Sequence, residues 1–137
     1  MVTILANYDG RLRCTATHGP SGTTLSTDAP KDNEGLGASF SPTDLMATAL
    51  ATCTLTTMAI VARRENIPFE GATARVEKQM ASTPKRRIAG LPVEITMPAG
   101  LTPVQRTKLE NAARGCPVHA SLGADVHAPL TFVYPEA

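Results

Sequence analysis

Two cysteines in distant parts of the chain are the residues with the clearest capacity for chemistry. Cys53 lies inside ATALATCTLTTMAIVARREN, residues 47–66, and Cys116 lies in RGCPVHASL, residues 114–122. A thiolate can attack a peroxide oxygen to give a sulfenic acid, and a second thiol can condense with that acid to form a disulfide. If folding brings the two thiols together, the pair can run a two-cysteine redox cycle.

The local contexts of the two thiols predict different acidities. Pro117 favours the first position of a helix, which makes Cys116 a candidate N-cap with its sulfur against free N–H groups and the positive end of the helix dipole. Such a position lowers a thiol pKa, and His119 could face the same site. Cys53 lies in the middle of an apolar helix, where burial raises a thiol pKa. The residues alone therefore predict Cys116 as the more acidic thiol and Cys53 as the more protected one.

Each cysteine also has an interpretation without redox chemistry. A cysteine in an apolar helix is commonly a small core residue, and Cys116 could cap a helix without reacting. Cys14 falls on the inward side of an alternating strand and is predicted to pack in the core. The pattern C-x-x-H at Cys116 and His119, completed by His18 or His127, raises the hypothesis of a metal site, but it supplies only half of a zinc ligand set.

The elements that must position these thiols are marked by alternation and by capping signals. RLRCTATH, residues 11–18, alternates as a half-buried strand, and TTLSTD, residues 23–28, continues as its partner after the turn GPSG. Ser41-Pro42-Thr43-Asp44 predicts a helix start, with Ser41 as N-cap and Asp44 as the reciprocal acid. Asn66 and Pro68 mark the end of this helix near Glu65.

The second half of the chain alternates between strand and helix signals. ATARVEKQM, residues 72–80, and RRIAGLPVEITM, residues 86–97, predict two strands. Thr102-Pro103-Val104-Gln105 is a second capping box and opens a helix to about Arg114. A short helical turn follows from Cys116 to Leu122, and DVHAPLTFVYP, residues 125–135, predicts a last strand. This order is typical of an α+β fold built on antiparallel hairpins, in a single domain spanning 1–137.

The long helix carries no charge from Leu45 to Ala62, a stretch on the edge of membrane-span length. It contains five threonines, and no second segment could span a membrane, so we interpret it as a buried helix of a soluble protein. The strands of one small chain can cover one face of such a helix but not its whole surface. We therefore expect a homodimer in which two such helices pack together; the alternative is a monomer whose short helices cover the other face.

Composition narrows the class of protein. The chain has 137 residues, 42% of them hydrophobic, which suits one domain with its own core. The net charge of +1 and the absence of a basic cluster larger than Lys85–Arg87 argue against a nucleic-acid partner. The N-terminus lacks signal-peptide features, and three cysteines are a low, odd count for a disulfide scaffold, so we expect cytoplasmic, reduced thiols. No flavin, haem or nucleotide fingerprint is present, and no cofactor is expected.

FSPTDLMATALATCTLTTMAI, residues 40–60, and ARGCPVHASL, residues 113–122, resemble the OsmC/Ohr family of thiol peroxidases. The framing segments YDGRL, STDAPKDNEGLGASFSPTDL and RRIAGLPVEI extend the likeness over nearly the whole chain, and it is closest to the general OsmC-like branch. The resemblance implies an OsmC-like fold, in which antiparallel sheets wrap around long central helices in an intertwined homodimer. It also implies active sites at the subunit interface.

The same resemblance implies a role for each thiol. Cys53 would be the peroxidatic cysteine and Cys116 the resolving one, which reverses the ranking drawn from the helix N-cap. Better-studied branches carry a Glu ten residues before the helix cysteine, and that Glu positions a catalytic Arg. Here Thr43 occupies the position, with Asp44 beside it as a possible substitute. Candidates for the arginine, Arg11 and Arg13, lie on the early strand, and His119 is a further supporting candidate.

The function expected from these features is reduction of organic hydroperoxides to alcohols, in defence against stress. An apolar wall would favour organic hydroperoxides over hydrogen peroxide, since burying the substrate tail contributes about 25 cal/mol per Å². The resemblance implies that the reductant is a dithiol such as a lipoyl group, and no membrane partner is expected. The alternative is an OsmC-like binding protein that holds a small apolar or electrophilic ligand with little turnover.

Overall fold

The computed structural model describes residues 1–136, which divide into two compact units. The N-terminal unit is Met1–Met46, and the C-terminal unit begins at Ala47. The single domain expected from the length stays a prediction. The strands and α-helices of the described residues are β1 Ile4–Gly10, β2 Arg13–His18, β3 Thr24–Asp28, α1 Pro42–Arg64, β4 Thr73–Val76, β5 Gln79–Ala81, β6 Arg87–Gly90, β7 Val93–Thr96, α2 Pro103–Arg114, α3 Pro117–Ala120 and β8 Leu130–Val133.

The N-terminal unit is built on an antiparallel sheet in the order β1-β2-β3. Both predicted strands are present, and β1 is an additional strand that the sequence analysis did not predict. The prediction that Cys14 packs in the core is wrong, because it is half-buried and lies outside the core cluster. All residues of β2 from Arg13 to Thr17 are half-buried, so this strand has no distinct inward face.

Helix α1 starts and ends where the capping signals predict. The Ser41 hydroxyl accepts a hydrogen bond from Asp44 N–H at 3.1 Å, and the Asp44 carboxylate accepts one from Ser41 N–H at 2.9 Å. These two bonds satisfy amide groups that the first turn of a helix leaves without partners. The capping box is thus confirmed, and with it the start of the helix that carries Cys53.

One stripe of α1 packs into the core of the C-terminal unit. The buried residues follow helical spacing and are Ala47, Leu50, Ala51, Thr54, Met58 and Ala62. The buried Thr54 hydroxyl donates to Leu50 O at 2.8 Å, the back-bond expected for a threonine inside a helix. α1 is long and apolar enough to cross a membrane, a property that core helices of soluble proteins share, and 33% of its apolar stretch is buried. The single chain therefore covers one side of α1, and residues such as Ala49, Thr52, Ala59 and Ile60 stay exposed.

The strands of the C-terminal unit form a sheet in the order β4-β7-β8 and a separate hairpin of β5 and β6. Each of the two predicted strands is split in two, and Leu91 and Pro92 separate β6 from β7. Strands β7 and β8 are parallel, whereas the sequence predicted antiparallel strands, and the other strand pairs are antiparallel. Helices α2 and α3 lie between these two strands in the sequence and allow the chain to return in the same direction.

Candidate active site

Cys116 is held at the junction of two helices. The Thr102–Gln105 capping box opens α2 as predicted, and Gly115 ends it. Cys116 then takes the N-cap position of α3, with Pro117 as the first helical residue, which confirms the placement predicted from the Cys-Pro pair. The Cys116 side chain is 1% exposed and makes no capping hydrogen bond to α3.

The sulfur of Cys53 receives the α3 amide hydrogen bond that the sequence predicted for Cys116. It accepts from the backbone N–H of Val118 and from the thiol of Cys116, and it lies 3.9 Å from the Thr57 hydroxyl oxygen. Pro117 has no N–H, so Val118 supplies the first free amide of α3. The distant thiols of Cys53 and Cys116 are therefore hydrogen-bonded neighbours, the arrangement that a two-cysteine cycle requires.

These contacts set the acidity of Cys53. Partial burial raises the pKa of the Cys53 thiol, but hydrogen bonds from Val118 N–H, the Cys116 thiol and the Thr57 hydroxyl lower it by more. The net pKa lies below the ordinary value for a cysteine because donors aimed at the sulfur stabilise the thiolate. Burial acts on the Cys53 pKa in the direction expected from the sequence, but the polar donors that the α3 turn brings to the sulfur outweigh it.

The exposure of the two thiols also differs from the expectation drawn from the residues. Cys53 is half-buried, whereas Cys116 is buried. Cys53, and not Cys116, is thus the thiol that a solute can approach in the single chain. The prediction that Cys53 is the more protected thiol is therefore wrong for the single chain, and the roles implied by the family resemblance stay predictions.

His119 lies on α3 and ties it to the segment before β8. Its Nε2 is 3.0 Å from Ala128 O, and because a carbonyl oxygen only accepts, Nε2 carries the proton. The ring is half-buried. The structure thus shows an anchor for the turn that presents Val118 and Cys116, and a direct part for His119 in chemistry stays a prediction.

The arginine candidates lie in the N-terminal unit. Arg13 Nε is 3.8 Å from the Asp28 carboxylate, which also accepts the Ala38 N–H at 3.0 Å. Asp28 is 1% exposed, and both residues, together with Arg11, line a small cavity of about 270 Å³. Asp28 was predicted only as part of a strand, and its position opposite Arg13 follows from the register of β2 and β3. Asp44 closes the capping box, and its predicted role toward an arginine remains a prediction.

We expect Asp28→Ala to lower the free energy of unfolding by about 1–3 kcal/mol, since it leaves the Ala38 N–H and the Arg13 guanidinium without this acceptor. Asp28→Asn keeps an oxygen acceptor and should lose less. Asp9→Ala is the matched control, because Asp9 lines the same cavity but is exposed, and its expected change is within about 0.5 kcal/mol. Urea unfolding at one fixed protein concentration measures all three, and an Asp28→Ala loss no larger than that of Asp9→Ala would contradict the assignment.

An apolar groove of about 770 Å³ lies in the C-terminal unit. Its walls come from the second half of α1, including Leu55 and Ala59, and from the segment 67–72 with Phe69. Arg63 and Glu70 add charge to the same lining. The groove begins within one turn of Cys53 along α1 and can hold a small apolar molecule.

The metal hypothesis finds no complete ligand set. Within residues 1–136 no three His, Cys, Asp or Glu side chains lie close enough together to hold a metal ion. Cys116 and His119 therefore remain only half of the set that zinc requires.

Comparison with known proteins identifies the family. The sequence model of the family described as OsmC-like protein matches residues 33–130. No curated protein sequence gives a significant match. Because the matched region spans well over half of the chain and includes both Cys53 and Cys116, the protein belongs to the OsmC-like family.

Solved structures share the fold over nearly their full length. A Psychrobacter arcticus protein is 41% identical, and the match covers 96% of each chain with a TM-score of 0.89. That protein is provisionally described as induced by osmotic stress and acting in a detoxification response. An organic hydroperoxide resistance protein OsmC from Legionella pneumophila is 20% identical, with a TM-score of 0.78 over 97% of this chain and 96% of its own. An organic hydroperoxide resistance protein from Elizabethkingia anophelis, with thiocyanate bound, is 16% identical. Its TM-score is 0.74, and the match covers 98% of this chain and 96% of its own. The predicted OsmC-like α+β fold is confirmed.

Proposed function

We propose that the protein is a thiol peroxidase that reduces organic hydroperoxides to alcohols with Cys53 and Cys116. The observation that carries the proposal is the contact between the two thiols, with the accessible sulfur of Cys53 accepting hydrogen bonds from Cys116 and from Val118 N–H. A lowered pKa increases the fraction of thiolate, which is the form that attacks peroxides. Family membership supports the same reaction, as does the description of two structural neighbours as organic hydroperoxide resistance proteins.

The first step is attack by the Cys53 thiolate on the terminal oxygen of the hydroperoxide. A sulfur–oxygen bond forms, the oxygen–oxygen bond breaks, and the alkoxide leaves with a proton from solvent as the alcohol. Cys53 is oxidised to a sulfenic acid and the peroxide is reduced by two electrons. The Val118 N–H donates to the sulfur in the starting thiolate and holds it at the start of α3.

The second step joins the two cysteines. The Cys116 thiol loses its proton and attacks the sulfur of the Cys53 sulfenic acid, so that a disulfide forms and the hydroxyl leaves as water. A dithiol such as a lipoyl group then reduces the disulfide by exchange, returning two thiols and leaving as its own cyclic disulfide. The cycle needs no metal or bound cofactor, and its partners are a small organic hydroperoxide and the dithiol.

A steady-state assay tests the proposal. We expect consumption of cumene hydroperoxide with dihydrolipoamide as reductant, and slower consumption of hydrogen peroxide, because only the organic substrate can bury an apolar tail. Failure to consume either peroxide, with reduced thiols verified by mass, would refute the proposed activity.

We also propose that the protein acts as a homodimer. The single chain leaves one side of α1 exposed, and a second copy would bury that apolar stripe. Light scattering should give twice the chain mass of 14.4 kDa, and Ala59→Glu, which places a charge on the exposed stripe, should shift the mass toward one chain. Thr107→Glu is the control, because Thr107 is an exposed residue of α2. A monomeric wild-type protein at micromolar concentration would contradict this proposal.

The groove of the C-terminal unit favours a second candidate function. Its apolar walls suit a protein that binds a small apolar or electrophilic ligand with little turnover. Native mass spectrometry separates the two functions, since a binding protein should retain a ligand after purification and show no peroxide consumption. A ligand-free spectrum together with turnover would exclude this second candidate.

A further inference from the structure

We propose that Thr57 is a positioning residue for the Cys53 thiolate, donating its hydroxyl hydrogen to the sulfur from one turn farther along α1. The inference rests on the proposed function, in which the Cys53 sulfur is the attacking atom. Thr57 Oγ1 lies 3.9 Å from Cys53 Sγ, and both side chains are half-buried, so the pair is partly shielded from water. Positions four residues apart on a helix face the same side, which accounts for this contact.

The hydroxyl of Thr57 is used differently from those of other threonines in α1. Thr52 and Thr54 donate to the carbonyl oxygens of Thr48 and Leu50, four residues earlier, at 2.7 and 2.8 Å. A hydroxyl engaged in this way has given its only proton to the backbone. Thr57 faces a sulfur instead, so its proton remains available for the thiolate.

Thr57 differs from the other two donors in its independence from Cys116. The Val118 N–H and the Cys116 thiol both come from the α3 turn, and the Cys116 proton is lost when that thiol becomes the second nucleophile. Thr57 is on the same helix as Cys53 and keeps its proton throughout the cycle. The same hydroxyl is among the groups that lower the pKa of Cys53.

Few titratable groups compete with this effect. Between Leu45 and Ala62, α1 has no titratable side chain except Cys53 itself. From α3 the titratable neighbours are Cys116, which donates to the Cys53 sulfur, and His119, whose Nε2 is directed at Ala128 O. A change in the acidity of Cys53 on removing the Thr57 hydroxyl can therefore be assigned to that hydroxyl.

The test is the pH dependence of Cys53 alkylation by iodoacetamide, followed by peptide mass mapping so that Cys14 and Cys116 do not contribute. Thr57→Val removes the hydroxyl with little change in shape, and we expect a higher midpoint pH and an alkylation that is about three- to tenfold slower below that midpoint. Thr57→Ser keeps a hydroxyl and should retain the wild-type midpoint. Thr56→Val is the matched control, because Thr56 is the neighbouring threonine and lines the groove instead.

The outcomes separate this inference from the proposed function. Equal midpoints for Thr57→Val and Thr56→Val would overturn the inference, and Thr57→Ala, measured in parallel, gives the same decision if the valine variant folds poorly. An upward shift for Thr57→Val alone, together with restoration by serine, would support it. If that shift occurs but the wild-type protein consumes no hydroperoxide, the positioning role stands and the proposed peroxidase activity fails.

Discussion

Cys53→Ser is expected to abolish consumption of cumene hydroperoxide, with a loss of at least about 10³-fold in rate. A serine hydroxyl in the same place remains protonated at neutral pH, so the donors that stabilise the Cys53 thiolate have no anion to stabilise. The side chain is half-buried and similar in size, and we expect the fold to be retained. The measurement is peroxide consumption with dihydrolipoamide, alongside a circular dichroism spectrum.

Cys14→Ser is the matched control for this experiment. Cys14 is also half-buried, but it lies on β2 in the N-terminal unit and has no part in the proposed cycle. Its activity should stay within about twofold of the wild type. Full activity in Cys53→Ser, or loss of activity in Cys14→Ser with an intact fold, would show that the attacking sulfur has been misassigned.

Cys116→Ser should separate the first chemical step from the second. The Cys53 thiolate is still present, so one equivalent of peroxide per chain should be consumed in a rapid burst. Steady turnover with dihydrolipoamide should then fall by about tenfold or more, because the Cys53 sulfenic acid lacks its adjacent thiol and is open to further oxidation. Rapid-mixing assays measure the burst, and intact mass detects sulfenic and sulfinic acids.

Cys116→Ala is the control for the change in polarity that Cys116→Ser introduces. The Cys116 side chain is buried, and serine introduces a hydroxyl there, so Cys116→Ala is measured in parallel to exclude an effect of polarity. Both variants should show the burst without sustained turnover. Wild-type turnover in both would mean that external thiols alone resolve Cys53, and Cys116 would lose its proposed role.

Local sequence signals predicted the elements that are defined by local interactions. The capping boxes at Ser41 and Thr102 fixed the starts of α1 and α2, because the partners of each cap lie three residues apart. The missed features depend on distant pairing. Strand β1 exists through its pairing with β2, and the parallel alignment of β7 and β8 depends on where α2 and α3 return the chain.

The candidate site was predictable in its residues but not in its electrostatics. Both thiols were identified from their neighbours in sequence, and Cys116 is the N-cap that Pro117 predicts. The lowered pKa of Cys53 was missed because the free amide of the α3 turn, Val118 N–H, points at a sulfur from another helix. Such a contact joins residues 65 positions apart (118 − 53) and leaves no local signal. Asp28 was overlooked for the same reason, since its partner Arg13 is set by strand register.

The most direct test of the central claim is the bond between the two sulfurs. The reduced wild-type protein is treated with one equivalent of cumene hydroperoxide, alkylated and digested, and the peptides are identified by mass without reduction. We predict a single disulfide that links the peptide containing Cys53 to the peptide containing Cys116 within one chain. Stable oxygen adducts on Cys53 with Cys116 still alkylatable, or a disulfide that involves Cys14, would contradict the account.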